Sequence, residues 1–167
     1  MKFFTFKHAD GSVSRIALAT ITFVALFGLA LLVSALKSEP AHAVADIKVY
    51  KNPSCGCCGK WVEHLEAAGL VADVEAVNDV TPLKTQFGVP TTLASCHTAK
   101  IGGYFIEGHV PVEDIKRLLA EKPDIAGLAV PGMPMGSPGM EIPGRAPVAY
   151  KVFAVDRSGS TSVFSQH

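Results

Sequence analysis

The chain lacks the patterns that announce most common enzymes and nucleic-acid proteins. Its 167 residues hold no G-x-S-x-G turn, no glycine-rich phosphate loop and no closely spaced acid pair suited to hydrolysis. No basic patch interleaved with aromatics occurs either. From Val44 onward, eleven Lys or Arg stand against thirteen Asp or Glu, a formal charge of −2. Nucleic-acid binding therefore has no electrostatic footprint. Repeats and long disordered tails are missing. Cysteine is scarce: there are four, and a chain of this length does not need them as staples for a core. Three of them crowd into "NPSCGCCGKWVEHLEAAG", as Cys55, Cys57 and Cys58; the fourth is Cys96. A structural zinc site made of four cysteines brings two short Cys-x-x-Cys knuckles together. Only one knuckle is present here, and a four-iron cluster meets the same objection.

What is present begins with an export signature. Lys2, Lys7 and Arg15 precede 21 uncharged positions, Ile16 to Leu36. That run is long enough to cross a bilayer, which needs about 20 apolar residues, and longer than a signal-peptide core of about 7 to 15. Small-x-small patterns end at Ala43 and Ala45. Residues 1–45 are thus either a cleaved signal or a retained inner-membrane anchor. Both place the remaining domain, residues 46–167, outside the cytoplasm, because the positive end stays inside. Outside the cytoplasm, disulfides form readily, and clustered thiols need a pairing, a metal or a reducing partner.

The rest alternates strand and helix. "DIKVY" reads as a strand broken by "NPS". Trp61, Val62, Leu65 and Ala68 then recur at helical spacing until Gly69. "LVADVEAV" is a second strand. In "TPLKTQFG", Thr81 is the expected cap, with Pro82 in the first turn and Leu83 and Phe87 on one face. "VPTTLASCHTAKIGGYFIEGHV" forms two extended pieces around a turn. "PVEDIKRLLAEKP" is a helix with Val112, Ile115, Leu118 and Leu119 inward, ended by Pro123. This order predicts an α/β fold, a small mixed sheet flanked by helices. A cysteine group after the first strand, at a helix N-terminus, is the thioredoxin arrangement, in which Pro90 of "GVPT" is the candidate for a cis bond over the cysteines. Residues 131–144, "PGMPMGSPGMEIPG", carry four prolines and four glycines, which exclude regular structure. "YKVFAVDRSGSTSVF" reads as a closing hairpin that turns near Ser158–Gly159. Asp79, Glu107, Asp114 and Asp124 read most simply as surface or cap residues.

Three chemistries compete for the cysteines. Cys55 and Cys58 have the spacing of a redox pair, whose first thiolate the free N–H groups of a helix stabilise. Cys57 adds a third sulfur that can attack a mixed disulfide or trap the wrong isomer. Two structural disulfides can be drawn in three ways, yet a bridge between adjacent Cys57 and Cys58 is strained, and tying Cys96 to one member leaves two thiols crowded. Metal binding uses all four. Thiolates are soft ligands suited to Cu(I), Zn or Fe–S. Adjacent cysteines are awkward around one ion, whereas sulfurs bridging several Cu(I) ions sit close together. Met133, Met135 and Met140 lie where packing has no period to follow, and thioethers prefer Cu(I); the competing role is that of apolar feet pinning the loop. His109, before a helix, is the strongest histidine candidate. His97 follows Cys96, and alternation in a strand points the two to opposite faces. His64 is expected in water, and His167 is terminal.

The runs "YKNPSCGCCGKWVEHLEAAG", "FGVPTTLASCHTAKIGGYFIEGHVPVEDIKRLL" and "GLAVPGMPMGSPGME" together resemble domain-of-unknown-function family 411, the exported CopG-type proteins of bacterial copper-resistance clusters. The resemblance spans about Ile47 to Phe164. It implies a periplasmic, thioredoxin-like copper-binding protein, with Cys55, Cys57, Cys58 and Cys96 matching the motif cysteines. His109 matches the "GHVP" histidine, and Met133, Met135 and Met140 match the loop methionines. The expected function is binding of Cu(I) in copper resistance or homeostasis, at a multi-cysteine and multinuclear site. The alternative is a thiol–disulfide or copper oxidoreductase using Cys55 and Cys58. The expected partner is a copper-transport or periplasmic redox protein.

Overall fold

The computed structural model describes residues 46–167. The assigned export segment, residues 1–45, lies outside the described residues; among those described, no helix is long and apolar enough to cross a membrane. The chain forms β1 (Asp46–Lys51), α1 (Gly56–Ala67), β2 (Val71–Ala76) and α2 (Thr81–Phe87). A 3-10 turn (Thr91–Leu93) leads to β3 (His97–Ile101), β4 (Tyr104–Glu107) and α3 (Val112–Glu121). Then come β5 (Gly127–Ala129), β6 (Lys151–Val155) and β7 (Thr161–Gln166).

The strands make one mixed sheet in the order β2-β1-β3-β4-β5-β6-β7. β1 and β2 are parallel and joined through α1, β3 returns antiparallel to β1, and β4 is antiparallel to β3. This is the α/β, thioredoxin-like order expected, and the closing hairpin is β6–β7. β5 is an element beyond those expected from sequence. It pairs parallel with β4 and antiparallel with β6, joining the hairpin to the sheet. Its three residues, Gly-Leu-Ala, are all buried, so it shows none of the alternation that marks a half-exposed strand.

Helix ends follow local chemistry. Gly69, at φ 85, closes α1 as its N–H reaches Glu66 O at 2.9 Å and the Leu70 N–H reaches Leu65 O at 3.0 Å, a Schellman pairing. Thr81 is not the cap of α2 but its first residue; Asp79 Oδ1 accepts the Thr81 N–H at 2.8 Å. α3 carries Glu113 and Asp114 in its first turn, where acidic groups complement the helix dipole. The Pro90 bond is trans, since no cis peptide occurs among the described residues. Trans is the usual X–Pro geometry, and the 3-10 turn after Pro90 reverses the chain toward Cys96.

Two cores form on opposite sheet faces. Trp61 and Leu65 of α1 and Ile115 and Leu118 of α3 pack against Ile47, Val49, Ile106 and Leu128. Val89, Leu93, Phe105, Ala129 and Val155 pack on the other face. Period-2 alternation within β4 and β5 sends Phe105 and Ile106, and Leu128 and Ala129, to different sides. Asp114 corrects the surface reading. It is buried, and its Oδ2 accepts from Ser165 Oγ at 2.7 Å and meets His167 Nε2 at 2.8 Å, pinning the last strand to α3. Asp124 stays exposed beside Arg157.

Close packing between β4 and β5 yields a test. A Cβ at Gly127 would lie 2.2 Å from Phe105 O and 2.5 Å from its ring, whereas one at Gly59 in α1 meets nothing within 4 Å. Gly127→Ala should cost about 1–3 kcal/mol in reversible denaturant unfolding, the usual penalty of overpacking. Gly59→Ala should be neutral or stabilise by up to about 1 kcal/mol, from helix propensity. Equal midpoints for the two variants would contradict this packing.

Candidate metal centre

The cysteine turn is built by its own backbone. Asn52 Oδ1 accepts from Ser54 N at 3.0 Å and Ser54 Oγ at 2.6 Å, while the Cys55 N–H reaches Asn52 O at 3.0 Å. This places Cys55 at the N-cap of α1, with no side-chain cap and no acidic residue in the first turn. The N–H groups that begin a helix have no intrahelical partner and form the positive end of its dipole. Thiolates gathered there are stabilised.

Cys55 and Cys58 are joined by a disulfide, with Cα atoms 5.4 Å apart, and Cys57 and Cys96 are free. Cys57 Sγ lies 3.5 Å from Cys55 Sγ, and Cys96 Sγ lies 3.5 Å from Cys58 Sγ. All four sulfurs fall within 4.8 Å of one another. Cys58 is fully buried and the other three are half-buried, so the cluster has an inner wall and an outer side open to exchange.

Two imidazoles complete it. His109 Nε2 is 3.1 Å from Cys96 Sγ, and His109 Nδ1 is 2.8 Å from Pro138 O. A carbonyl oxygen only accepts, so Nδ1 carries the proton and Nε2 offers its lone pair to the sulfur. A backbone acceptor that fixes the tautomer in this way is how histidine is prepared as a ligand. His97 Nδ1 is 3.3 Å from the same sulfur, and Cys96, His97 and His109 also lie within 4.8 Å of one another. His97 is fully buried against the Trp61 ring, and its Nε2 has no hydrogen-bond partner. Burial, reinforced by the neighbouring Cys57 thiol, pushes Cys96 up to about 11. Burial pushes His109 down from its usual value. His97 falls well below its own, through burial first and then the neighbouring His109 and Lys84. Burial thus disfavours the charged forms of the Cys96 thiol and both imidazoles, and a cation that binds a thiol as thiolate displaces its proton.

The methionine segment lies across the cluster. Ser95 Oγ donates to Gly132 O, His109 donates to Pro138 O, and a Cβ at Gly139 would meet Cys57 O at 2.7 Å. Glu141 ties the segment to α1, accepting the Gly139 N–H at 2.8 Å through Oε2 and meeting His64 Nε2 at 2.8 Å through Oε1. His64, expected in water, is thus half-exposed and paired. Met133 is 52 % exposed, while Met135 and Met140 are half-buried.

The structure thus gathers Cys55, Cys57, Cys58, Cys96 and His109, and lays the Met133–Met140 stretch over them. It also adds His97. Strand alternation would separate His97 from Cys96 only if both lay within the strand; Cys96 sits at a bend and β3 begins at His97, so the two side chains are free to meet. Glu107, read as a surface residue, is fully buried and paired with Lys84. Soft sulfurs and neutral imidazoles in one cluster fit a thiophilic metal ion and exclude a hard-ligand hydrolase centre.

A family model described as "Protein of unknown function, DUF411" matches residues 93–140, the stretch from Leu93 through Cys96 and His109 to Met140. Two solved structures of copper resistance protein copG resemble the chain at 46 % identity. Form 2 has a TM-score of 0.70 and covers 74 % of this chain and 98 % of that one. Form 1 has a TM-score of 0.69, with 73 % and 96 % covered. No curated protein matches the chain.

The buried histidines set a pH dependence. In the folded metal-free protein His97 stays neutral to a pH well below its ordinary value, whereas the unfolded chain protonates near about 6.5. The unfolded state then binds more protons, so stability is full above about pH 6.5 and declines as pH falls below it. The melting temperature of metal-free protein should drop between pH 7 and pH 5, and the drop should shrink in His97→Phe. An identical decline in both proteins would contradict the assignment.

Proposed function

The chain belongs to the DUF411 family of CopG-type proteins, and from that premise we propose that it binds Cu(I) in the periplasm as part of copper resistance or homeostasis. One observation carries the reading: four cysteine sulfurs within 4.8 Å at a helix N-terminus, with His109 Nε2 at 3.1 Å from Cys96. Thiolates suit Cu(I), and the positive helix end offsets their charge. Contacts of 3.5 Å between sulfurs favour bridging of several Cu(I) ions over chelation of one. Three half-buried cysteines allow exchange with a copper-transport or periplasmic redox partner. Residues 16–36 support delivery to the periplasm, whether the segment is cleaved or keeps the domain on the inner membrane.

A second reading, a thiol–disulfide or copper oxidoreductase, is favoured by the Cys55–Cys58 bond with Cys96 Sγ 3.5 Å from Cys58. The electrons balance in a simple way. The Cys55/Cys58 dithiol, passing one electron to each of two Cu(II) ions, yields two Cu(I), one disulfide and two protons. The same bond withdraws two of the four thiolates, so metal binding and the oxidised pair are alternative states.

Division of labour within the cluster tests the main reading. Anionic thiolates attract and bridge Cu(I) more strongly than neutral thioethers. Cys96→Ser should lower copper stoichiometry or weaken retention at least tenfold in anaerobic titration against a competing Cu(I) chelator. Replacing Met133, Met135 and Met140 together by leucine should mainly change exchange rate and loop protection. Loss of copper in the methionine variant, with unchanged binding by Cys96→Ser, would overturn the assignment.

A further inference from the structure

Lys84 and Glu107 form a buried ion pair on the inner side of the segment that carries Cys96. Both side chains are at least nine-tenths buried. Lys84 Nζ donates to Glu107 Oε1 and, at 3.1 Å, to His97 O. The same carboxylate oxygen accepts the Ser95 N–H at 2.6 Å. The pair therefore holds the two residues that bracket Cys96, one bond to the Ser95 N–H and one to the His97 carbonyl.

A buried ion pair is by itself weak evidence of a stabilising role. A buried ion pair recovers its desolvation cost only when every remaining lone pair is satisfied, and apolar replacements of similar size are often as stable. Here Glu107 Oε2 has no well-formed hydrogen bond, and its cross-strand neighbour Thr98 offsets the cost of the buried carboxylate only in part, since burial still pushes Glu107 up. The pair also links separate elements, since Lys84 is on α2 and Glu107 ends β4. Between them runs an irregular stretch, Ala94 to Cys96, with no ladder bonds of its own until β3 begins at His97. Without the pair, Ser95 keeps its hydroxyl bond to Gly132 O, in the methionine segment.

We propose that Lys84 and Glu107 are positioning residues for the Cys96 thiol: the pair holds Ser95 through its N–H and His97 through its carbonyl, the residues on either side of Cys96, so that the sulfur is kept against Cys58 and His109. Positioning of the sulfur is independent of any metal. Its consequence, tighter copper retention, rests on the copper reading above.

The test measures position first, without metal. In a Cys55→Ser/Cys57→Ser background only Cys58 and Cys96 remain, and their disulfide equilibrium with glutathione reports the effective concentration of one thiol at the other. Oxidised glutathione accepts two electrons and two protons as the protein disulfide forms, giving two reduced glutathiones. Adding Lys84→Met with Glu107→Leu removes both charges and the acceptor for Ser95. The effective concentration should then fall at least tenfold while the circular dichroism spectrum stays folded. Lys84→Met with Glu107→Gln keeps an acceptor for Ser95 but loses both bonds of Lys84, to His97 O and to residue 107; it should recover most of that loss, ending about threefold below the parent. An unchanged effective concentration in the folded leucine variant overturns the proposal. If that variant does not fold, the glutamine variant decides, and a value equal to the parent overturns it. The same substitutions in the four-cysteine protein should weaken Cu(I) retention in chelator competition. A protein that binds no copper while the glutathione equilibrium still shifts refutes the copper reading and leaves the clamp standing.

Discussion

Antiparallel pairing of β1 with β3 is the constraint on which the cluster depends. The ladder runs from Lys48↔Lys100 to Lys51↔His97, so β3 starts where β1 ends. The residue before β3 is Cys96, and the residues after β1 are the Asn52–Cys55 turn that opens α1. A slip of one position would move Cys96 by about 3.4 Å along the strand and turn the following side chains to the other face. That displacement is as large as the 3.5 Å between Cys58 and Cys96. Register is strongly specified here because Ile47, Val49 and Ala99 are all buried, and a slip would expose them.

Much of this was legible in sequence because it rests on local signals. The Cys-x-Cys-Cys run directly before a helical pattern, with Gly69 to end it, defines the α1 turn. The strand–helix order alone brings Cys96 beside that turn, although 38 residues separate it from Cys58. His109 was readable as a residue poised before a helix. What escaped depends on distant partners. Glu107 is buried because Lys84, 23 positions earlier, meets it, and Asp114 because Ser165 and His167 reach it across more than 50 positions. Charged residues read singly look exposed. His97 was set aside by a period-2 argument that fails at a bend, and β5 has too few residues to show a period.

The parts divide the work between holding sulfur and controlling access. The start of α1 sets unpaired N–H groups beside Cys55, Cys57 and Cys58, and burial pushes the Cys96 thiol up. His97 and His109 remain neutral donors for the same reason, since desolvation disfavours their charged forms. Above them the methionine segment is tied down by hydrogen bonds from Ser95 and His109 and by the contact of its Glu141 with His64 of α1. Its prolines and positive-φ glycines let it cross the site without a helix or strand that would compete for those contacts.

Because one disulfide removes two of the four thiols, oxidation state and metal content are linked, and counting both on the same sample addresses the central claim most directly. The protein would be prepared without oxygen, with its free thiols and its copper and zinc measured before and after full reduction. The account predicts two titratable thiols and little copper uptake with Cys55–Cys58 joined. After reduction it predicts four thiols and more than one Cu(I) per chain. Equal copper uptake in both forms, or one tightly held zinc that copper does not displace, would contradict it.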